Sequence, residues 1–109
     1  MDNEIKALTE AIKNDYRQWH SNVRRNRVSR QFADRMVKDF NEGIVITKGR
    51  KYIKIVTANS VWGFIVNIDN DDKFKRGDIL MPAGYNAPAR NFARGNVFDE
   101  YTVHWPGAA

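Results

Sequence analysis

Apolar residues near the start of the chain recur every three or four positions, which is the spacing of one helix face. The set is Ile5, Leu8, Ile12, Tyr16, Trp19 and Val23. At about 100° per residue these positions form one narrow stripe. Asp2 or Asn3 can cap the start of such a helix, and Glu4 would sit at the positive end of its dipole. The pattern therefore predicts an amphipathic helix whose stripe faces a core.

A second helical pattern occupies residues 30–41. Its apolar positions are Phe32, Ala33, Met36, Val37 and Phe40. Ser29 is suited to cap its start, and Gly43 follows its end. Val23 fits the first stripe, but Val28 lies on the wrong side of the second, so the helical phase breaks between them. We therefore expect two helices joined by a connector into an antiparallel hairpin.

From Gly43 onward the apolar period changes to two, which is typical of strands. Strands are predicted at 44–47, 52–57, 61–68, 78–81 and 101–105. In the third of them the alternation places Trp62, Phe64, Val66 and Ile68 on one face, and Val61, Gly63, Ile65 and Asn67 on the other. Both faces are apolar enough for a strand that is covered on two sides.

Two helices followed by about five strands predict an α+β fold in a single domain, 1–109. The helical hairpin (1–42) would pack on a curled antiparallel sheet (43–109), and a small SH3-like barrel is the closed form of such a sheet. Ala108 and Ala109 are expected to form a frayed tail. The start of the chain does not resemble a signal peptide, and no apolar run is long enough to span a bilayer. These features predict a cytoplasmic protein that has no membrane partner.

The charge balance favours a polyanionic partner. The chain carries 18 Lys and Arg against 13 Asp and Glu, a net charge of +5. The excess is spread over both halves, with nine basic and seven acidic residues in 1–42 and nine and six in 43–109. A positive protein of this size attracts nucleic acid or another acidic surface. The absence of cysteine excludes disulfides, thiolate metal sites and a cysteine nucleophile.

The stretch 73–98 is predicted to be a short strand followed by a long ordered loop. Pro82 and Pro88 remove backbone donors, and Gly77, Gly84 and Gly95 relax the backbone, so a regular helix is excluded. Binding residues concentrate on loops that a rigid scaffold holds. We therefore expect a site, if the protein has one, on this loop.

The connector between the helices is the most basic segment of the chain. It contains Arg24, Arg25, Arg27 and Arg30 without an acidic residue among them. One interpretation is a corner that contacts phosphates. The other is a solvated loop whose arginines pair with acidic residues of the second helix. A helix-turn-helix DNA reader is disfavoured, because the glycine turn and a third helix are missing.

No catalytic or metal-binding pattern is visible. His20 and His104 belong to distant elements and have no patterned carboxylate partners, which argues against zinc. The DNDD run at 69–72 lacks the glycine and glutamate of a calcium loop and is predicted to be a turn. Asp78, Asp99, Glu100 and His104 could supply a general acid and base, but nothing in their spacing requires it. We therefore predict a protein that is not an enzyme, with no catalytic residue, metal or cofactor.

Basic residues interleaved with aromatic residues make the positive case for binding. Arginine forks match phosphate geometry, and exposed aromatic faces stack bases at roughly 1–3 kcal/mol each. The predicted binding residues are Arg50, Lys51, Lys54, Lys75, Arg76, Tyr85, Arg90, Phe92 and Arg94, with Arg24, Arg25 and Arg27 of the connector. This pattern predicts a surface that binds nucleic acid or a nucleotide, provided that these groups converge on one patch facing solvent.

Three runs carry a resemblance to a known group of proteins. They are GRKYIKIV at 49–56, KFKRGDIL at 73–80 and APARNFARGN at 87–96. Together they resemble a C-terminal module of small accessory proteins encoded by tailed bacteriophages, over about residues 48–105, with the helical hairpin as a variable attachment. The resemblance implies action in the bacterial cytoplasm during infection. It brings no activity, because such proteins bind nucleic acid in some cases and disable a host enzyme in others.

Two functions therefore stay open from the sequence. The first is a non-catalytic module that binds nucleic acid or a nucleotide. The alternative is a protein–protein inhibitor of a host enzyme or host defence protein, which the content of Trp, Tyr and Arg favours because these residues anchor interfaces. The oligomeric state is left undetermined.

Overall fold

The computed structural model of the protein describes residues 1–23, 30–57 and 60–108. Within the helices, the described side chains are those of residues 2–19 and 34–42. Two helices precede a set of short strands. The elements are α1 Asp2–Val23, α2 Arg30–Glu42, β1 Val45–Lys48, β2 Tyr52–Thr57, β3 Ser60–Val66, β4 Ile79–Leu80, β5 Pro82–Gly84 and β6 Ala87–Pro88. The two predicted helices are confirmed. The predicted connector, with the cap at Ser29, lies outside the described residues.

The strands form one antiparallel sheet of four, in the order β1-β2-β3-β4, and a separate pair, β5-β6. The α+β class is confirmed. In the described part of the chain the larger sheet has four strands and is not closed, so neither a fifth strand nor an SH3-like barrel is confirmed. A further segment, 94–97, flanks β4 through hydrogen bonds between Ile79 and both Arg94 and Gly95.

The predicted strand at 101–105 is wrong. Tyr101 makes only an isolated bridge to Gly95, and the Trp105 amide donates to Asp15 Oδ2 on α1, at 2.8 Å, rather than to a strand. The alternation has a different cause. Tyr101, Val103 and Trp105 pack in turn against the core between helices and sheet, and an extended segment needs the same period of two to do so.

A β-bulge in β3 changes the predicted facing of its side chains. Ile55 pairs with Gly63 and the next residue, Val56, pairs with Val61, which leaves Trp62 as an extra residue in β3. An extra residue shifts the following side chains to the opposite face. Trp62 therefore lies on the same face as Ile65, against the helices, and not with Phe64 and Val66 as the alternation predicts.

The face of the sheet toward the helices, here called the inner face, carries the larger core. The first four residues of the α1 stripe, from Ile5 to Tyr16, lie on side chains of β2, β3 and β4. Helix α2 adds Phe40, whose ring stacks on Tyr16 with centroids 4.0 Å apart. The buried members are Ile5, Leu8, Ile12, Tyr16, Phe40, Ile53, Ile55, Trp62, Ile65, Ile79, Val97 and Ala108. The helices and the sheet thus share one core. None of the described helices is long and apolar enough to cross a membrane.

The opposite face, here called the outer face, is covered by the loop 81–94. Its core is smaller and consists of Phe64, Val66, Phe74 and Leu80, with Tyr52, Val61, Ile68 and Ala93 packed around them. Because the outer face is also covered, β3 is buried on both sides as predicted. The loop supplies few of these apolar groups, so other contacts must hold it in place.

The C-terminal end is not the frayed tail that the sequence predicts, as far as residue 108. Ala108 is buried, and its amide donates to the Trp62 carbonyl at 2.8 Å. The Ala108 methyl group packs closely on Gly63, because a Cβ atom added at residue 63 would lie only 2.9 Å from the Ala108 Cβ. A glycine at 63 is therefore needed for the tail to pack on β3.

Candidate functional site

The bend between β1 and β2 presents two cations at one end of the sheet. Gly49 closes the bend by donating to the Tyr52 carbonyl at 2.8 Å. Asn67 at the end of β3 holds it from the side, through its amide to the Lys51 carbonyl and its side chain to the Gly49 carbonyl. Arg50 and Lys51 are exposed on this fixed bend. Neither forms an ion pair with a described carboxylate.

The β5–β6 hairpin reaches back over the outer face and brings its tip to Lys54 in the middle of β2. The Lys54 ammonium lies 4.0 Å from the centroid of the Tyr85 ring. It also donates to the Tyr85 carbonyl at 3.3 Å and to Asn86 Oδ1 at 3.1 Å. The Tyr85 side chain nevertheless stays 59% exposed. Lys54 therefore fixes the tip of the hairpin while one face of the tyrosine ring remains open to solvent.

A groove of about 270 Å³ lies between the bend and the hairpin tip. It is lined by Thr47, Gly49, Arg50, Lys51, Tyr52, Lys54, Phe64 and Asn86. Three of these residues are cationic and none is acidic. The volume is just below the range of roughly 300–1,000 Å³ for ligand pockets and is enough for a single ring system. We call this space the cationic groove.

Arg90, a predicted phosphate contact, is held by contacts within the protein. Its guanidinium donates to Asp71 Oδ1 at 2.8 Å and to the Tyr52 hydroxyl, and it lies 4.9 Å from the Phe74 ring. The hydrogen bond from Arg90, with those from the Lys73 and Phe74 amides, holds the pKa of Asp71 well below its usual range, and the same carboxylate raises the pKa of Arg90. The charge of Arg90 is thus compensated, and the residue holds Tyr52 in the groove wall.

Lys75 and Arg76 lie on a turn at the same end of the sheet as the bend. Gly77 makes the turn possible with a φ of +92°, and its amide donates to the Val66 carbonyl. The Lys75 amide donates to Asp78 Oδ2, and the Arg76 carbonyl accepts from Asn96. Both cationic side chains are exposed and have no ion pair with a described carboxylate. They extend the positive charge beyond the cationic groove.

Phe92 and Arg94 belong to a different edge of the molecule. The Arg94 guanidinium carbon lies 3.7 Å from the centroid of the Phe92 ring, and Nη2 contacts Met81 Sδ at 3.5 Å. Arg94 belongs to the segment that flanks β4, three strand spacings from β2, which is about 14 Å. We call Met81, Phe92 and Arg94 the edge cluster.

The structure therefore divides the predicted binding residues. Arg50, Lys51 and Lys54 line the cationic groove, Tyr85 lies beside it against Lys54, and Lys75 and Arg76 lie at the same end of the sheet. Phe92 and Arg94 are apart at the edge cluster, Arg90 is half-buried and paired with Asp71, and Arg24, Arg25 and Arg27 lie outside the described residues. Tyr52 and Asn86 line the groove although neither is in the predicted set. Asn86 could have been included in the predicted set because it follows Tyr85 directly in the sequence, at a turn between Gly84 and Ala87.

The residues considered for catalysis have different contacts in the structure. Asp78 accepts from the Lys75 amide and from Asn96, so it holds a turn. Asp99 and Glu100 line a separate open hollow beside Arg94, and His104 lies near Trp19 and Trp105. Within the ranges that the structure describes, no three His, Asp or Glu side chains are grouped as metal ligands.

Comparisons with known proteins leave the site to be judged on its own geometry. No protein-family model, no curated protein and no solved structure matches the chain.

Proposed function

We propose that the protein is a non-catalytic binding module whose cationic groove takes nucleic acid or a nucleotide. One observation carries this proposal. Arg50, Lys51 and Lys54, from two elements of the chain, line one concave space beside an exposed tyrosine ring, and none is neutralised by a described carboxylate. Charges that a protein keeps unpaired around a groove of this size favour an anionic ligand.

Each part of the groove matches one part of a nucleotide. Arg50 and Lys51 are exposed on a rigid bend, so they can contact phosphate oxygens without first breaking an ion pair. Tyr85 offers its open face to a base, a contact that contributes roughly 1–3 kcal/mol in proteins that bind single strands. Lys75 and Arg76 would follow the backbone beyond the groove.

The test is the binding of fluorescently labelled single-stranded and duplex oligonucleotides of about twelve nucleotides, followed by anisotropy from about 50 mM salt upward. If about four phosphates of a single strand are neutralised, log affinity should fall with log salt at a slope near −3. The double variant Arg50→Gln/Lys51→Gln should weaken binding and reduce the slope by about 1.4.

A matched control changes the net charge equally but on the helices. Lys6→Gln/Lys38→Gln removes two exposed cations that lie outside the groove. It should leave both the slope and the affinity close to those of the unchanged protein. Absence of binding to DNA and RNA at about 50 mM salt, or an equal loss in the helix control, would overturn the proposal.

The biological setting is part of the proposal. The resemblance of the 48–105 region to phage accessory proteins supports action in the cytoplasm of an infected bacterium. There a small basic module would meet both host and phage nucleic acid.

The alternative function, inhibition of a host protein, is favoured by the edge cluster. Phe92 is 55% exposed and Met81 41% exposed, with the Arg94 guanidinium against the phenylalanine ring. Aromatic and arginine side chains of this kind anchor interfaces. Capture from nuclease-treated bacterial lysate should then yield a protein that is retained by Arg50→Gln/Lys51→Gln and lost with Phe92→Ser. Loss of all bound material after nuclease treatment would favour nucleic acid instead.

A further inference from the structure

The orientation of the Asn86 side chain is fixed by its neighbour. A lysine ammonium can only donate hydrogen bonds. The Asn86 atom that lies 3.1 Å from Lys54 Nζ must therefore be the amide oxygen, Oδ1. The nitrogen, Nδ2, is then the end left for a ligand. It makes no hydrogen bond to any residue in the described ranges. Asn86 therefore faces the groove as a donor of two hydrogens.

The Tyr52 hydroxyl is constrained in the same way. The Arg90 guanidinium can only donate, so the Tyr52 oxygen accepts from it and its own hydrogen remains to be given. Arg50, Lys51 and Lys54 also present only donors. The side chains of the groove wall thus offer more donors than acceptors, because the Asn86 and Tyr52 oxygens already accept from cations and each keeps only one lone pair. Such a wall is complementary to a base edge that displays acceptors.

The Tyr85 ring lies beside the groove and not in its lining, so it offers a place for a neighbouring base of the same strand. Lys54 occupies one face of the ring, at 4.0 Å, and the exposed fraction of the side chain lies on the remaining side. A base can lie on that face only if it is not already stacked between two neighbours in a duplex. The groove itself, at about 270 Å³, has room for a single ring system.

We propose that the cationic groove binds single-stranded nucleic acid through one unpaired base that presents carbonyl acceptors, as thymine, uracil and guanine do, in preference to adenine. Adenine offers ring-nitrogen acceptors but places an amino group beside them, and that donor would have to share Asn86 Oδ1 with the Lys54 ammonium. This inference rests on the proposed function and adds the type of strand and of base. Stacking on Tyr85 alone would favour adenine, which has the larger ring.

The test compares labelled oligothymidylate with oligodeoxyadenylate, each of about twelve nucleotides, at about 50 mM salt. We expect roughly tenfold tighter binding of oligothymidylate, and weaker binding of the duplex formed by the two strands. Asn86→Ala should bring the ratio of the two affinities close to one with little change for oligodeoxyadenylate. Tyr85→Ala should weaken both strands and leave the ratio unchanged. Both residues are exposed at a hairpin tip, and urea midpoints will show that the variants fold.

The outcomes separate this inference from the proposed function. Equal affinities for the two strands, or a ratio that survives Asn86→Ala, would overturn the base preference and leave nucleic-acid binding intact. A duplex that binds as tightly as the single strand would overturn the requirement for an unpaired base. Displacement of the strand by micromolar thymidine monophosphate would identify a nucleotide site instead of a strand site. Failure of every oligonucleotide to bind would overturn both proposals.

Discussion

The two faces of the sheet are covered by different means. On the inner face two helices supply a broad apolar surface, with Leu8, Ile12 and Ile55 fully buried. On the outer face a loop covers only four buried residues and is held by cations, through Arg90 on Asp71 and Lys54 on the hairpin tip. The loop-covered face is thus the one that brings charged and aromatic groups together in ordered positions, and the cationic groove lies there.

The difference between the two faces is also visible in two ion pairs, one beside the helices and one in the loop region of the outer face. Lys48 of β1 meets Asp2 of α1 at 2.6 Å, with side chains 57% and 83% exposed. Arg90 meets Asp71 at 2.8 Å, with side chains 34% and 1% exposed. The distances are similar, but solvent screens the first pair and is excluded from the second carboxylate. We therefore expect the two pairs to differ in their effect on stability.

The largest effect is expected from Trp62→Ala, which acts on the inner face. The side chain is 1% exposed, and its Nε1 donates to the His104 carbonyl at 2.8 Å. Removing a buried ring of this size should lower the free energy of unfolding by about 3–5 kcal/mol. Urea unfolding followed by circular dichroism measures this loss.

Trp62→Phe separates the packing of the ring from its hydrogen bond. It keeps most of the apolar volume but removes the indole donor from the His104 carbonyl, which still accepts from the Gly107 amide at 3.2 Å. We expect this loss to cost about 1 kcal/mol. A loss for Trp62→Ala no larger than for Trp62→Phe would mean that the bulge does not place the ring in the core.

A smaller effect is expected from Asp71→Asn, which acts on the outer face. Asparagine keeps an oxygen that can accept from the Lys73 and Phe74 amides, so the variant removes mainly the charge that pairs with Arg90. We expect the urea midpoint to fall by roughly a few tenths of a molar at pH 7. Asp72→Asn is the control, because Asp72 is 98% exposed and 3.6 Å from Arg90. It should not change the midpoint.

The dependence on pH follows from the lowered pKa of Asp71. A carboxyl group whose pKa is lower in the folded state stabilises the fold fully above its unfolded pKa of about 3.9. The stabilisation is lost as the pH falls from there toward the folded value. The difference in urea midpoint between the unchanged protein and Asp71→Asn should therefore be constant from pH 8 to about 5 and shrink below about 4. A difference that grows on acidification would contradict this assignment.

Local patterns predicted the two helices and the first four strands but not the β5–β6 hairpin, and contacts distant in sequence decided the site. The spacing of Ile5, Leu8 and Ile12 defines a helix face by itself, and Gly49 marks the first bend. The bulge at Trp62 could not be predicted, because an alternating pattern of apolar residues does not show which residue of a strand is left unpaired. The partner of Arg90 lies 19 residues upstream, and its choice depends on how the loop covers the sheet. The groove is lined by β2 and by a hairpin tip that lies more than thirty positions later in the sequence. No local pattern could therefore predict it.

The smallest effect is expected from Asp2→Asn, on the exposed pair beside the helices. Lys48 lowers the pKa of Asp2 by hydrogen bonding and by its charge, yet both side chains face solvent, where holding two flexible groups together offsets most of the attraction. The urea midpoint should not shift measurably.

Asp2 also lies in the first turn of α1, where a negative charge favours the helix dipole. A double-mutant cycle with Lys48→Met separates that contribution from the pair. We expect no coupling between the two substitutions, whereas Asp71→Asn and Arg90→Met should be clearly coupled. Equal coupling in both cycles would mean that the two faces are held in the same way.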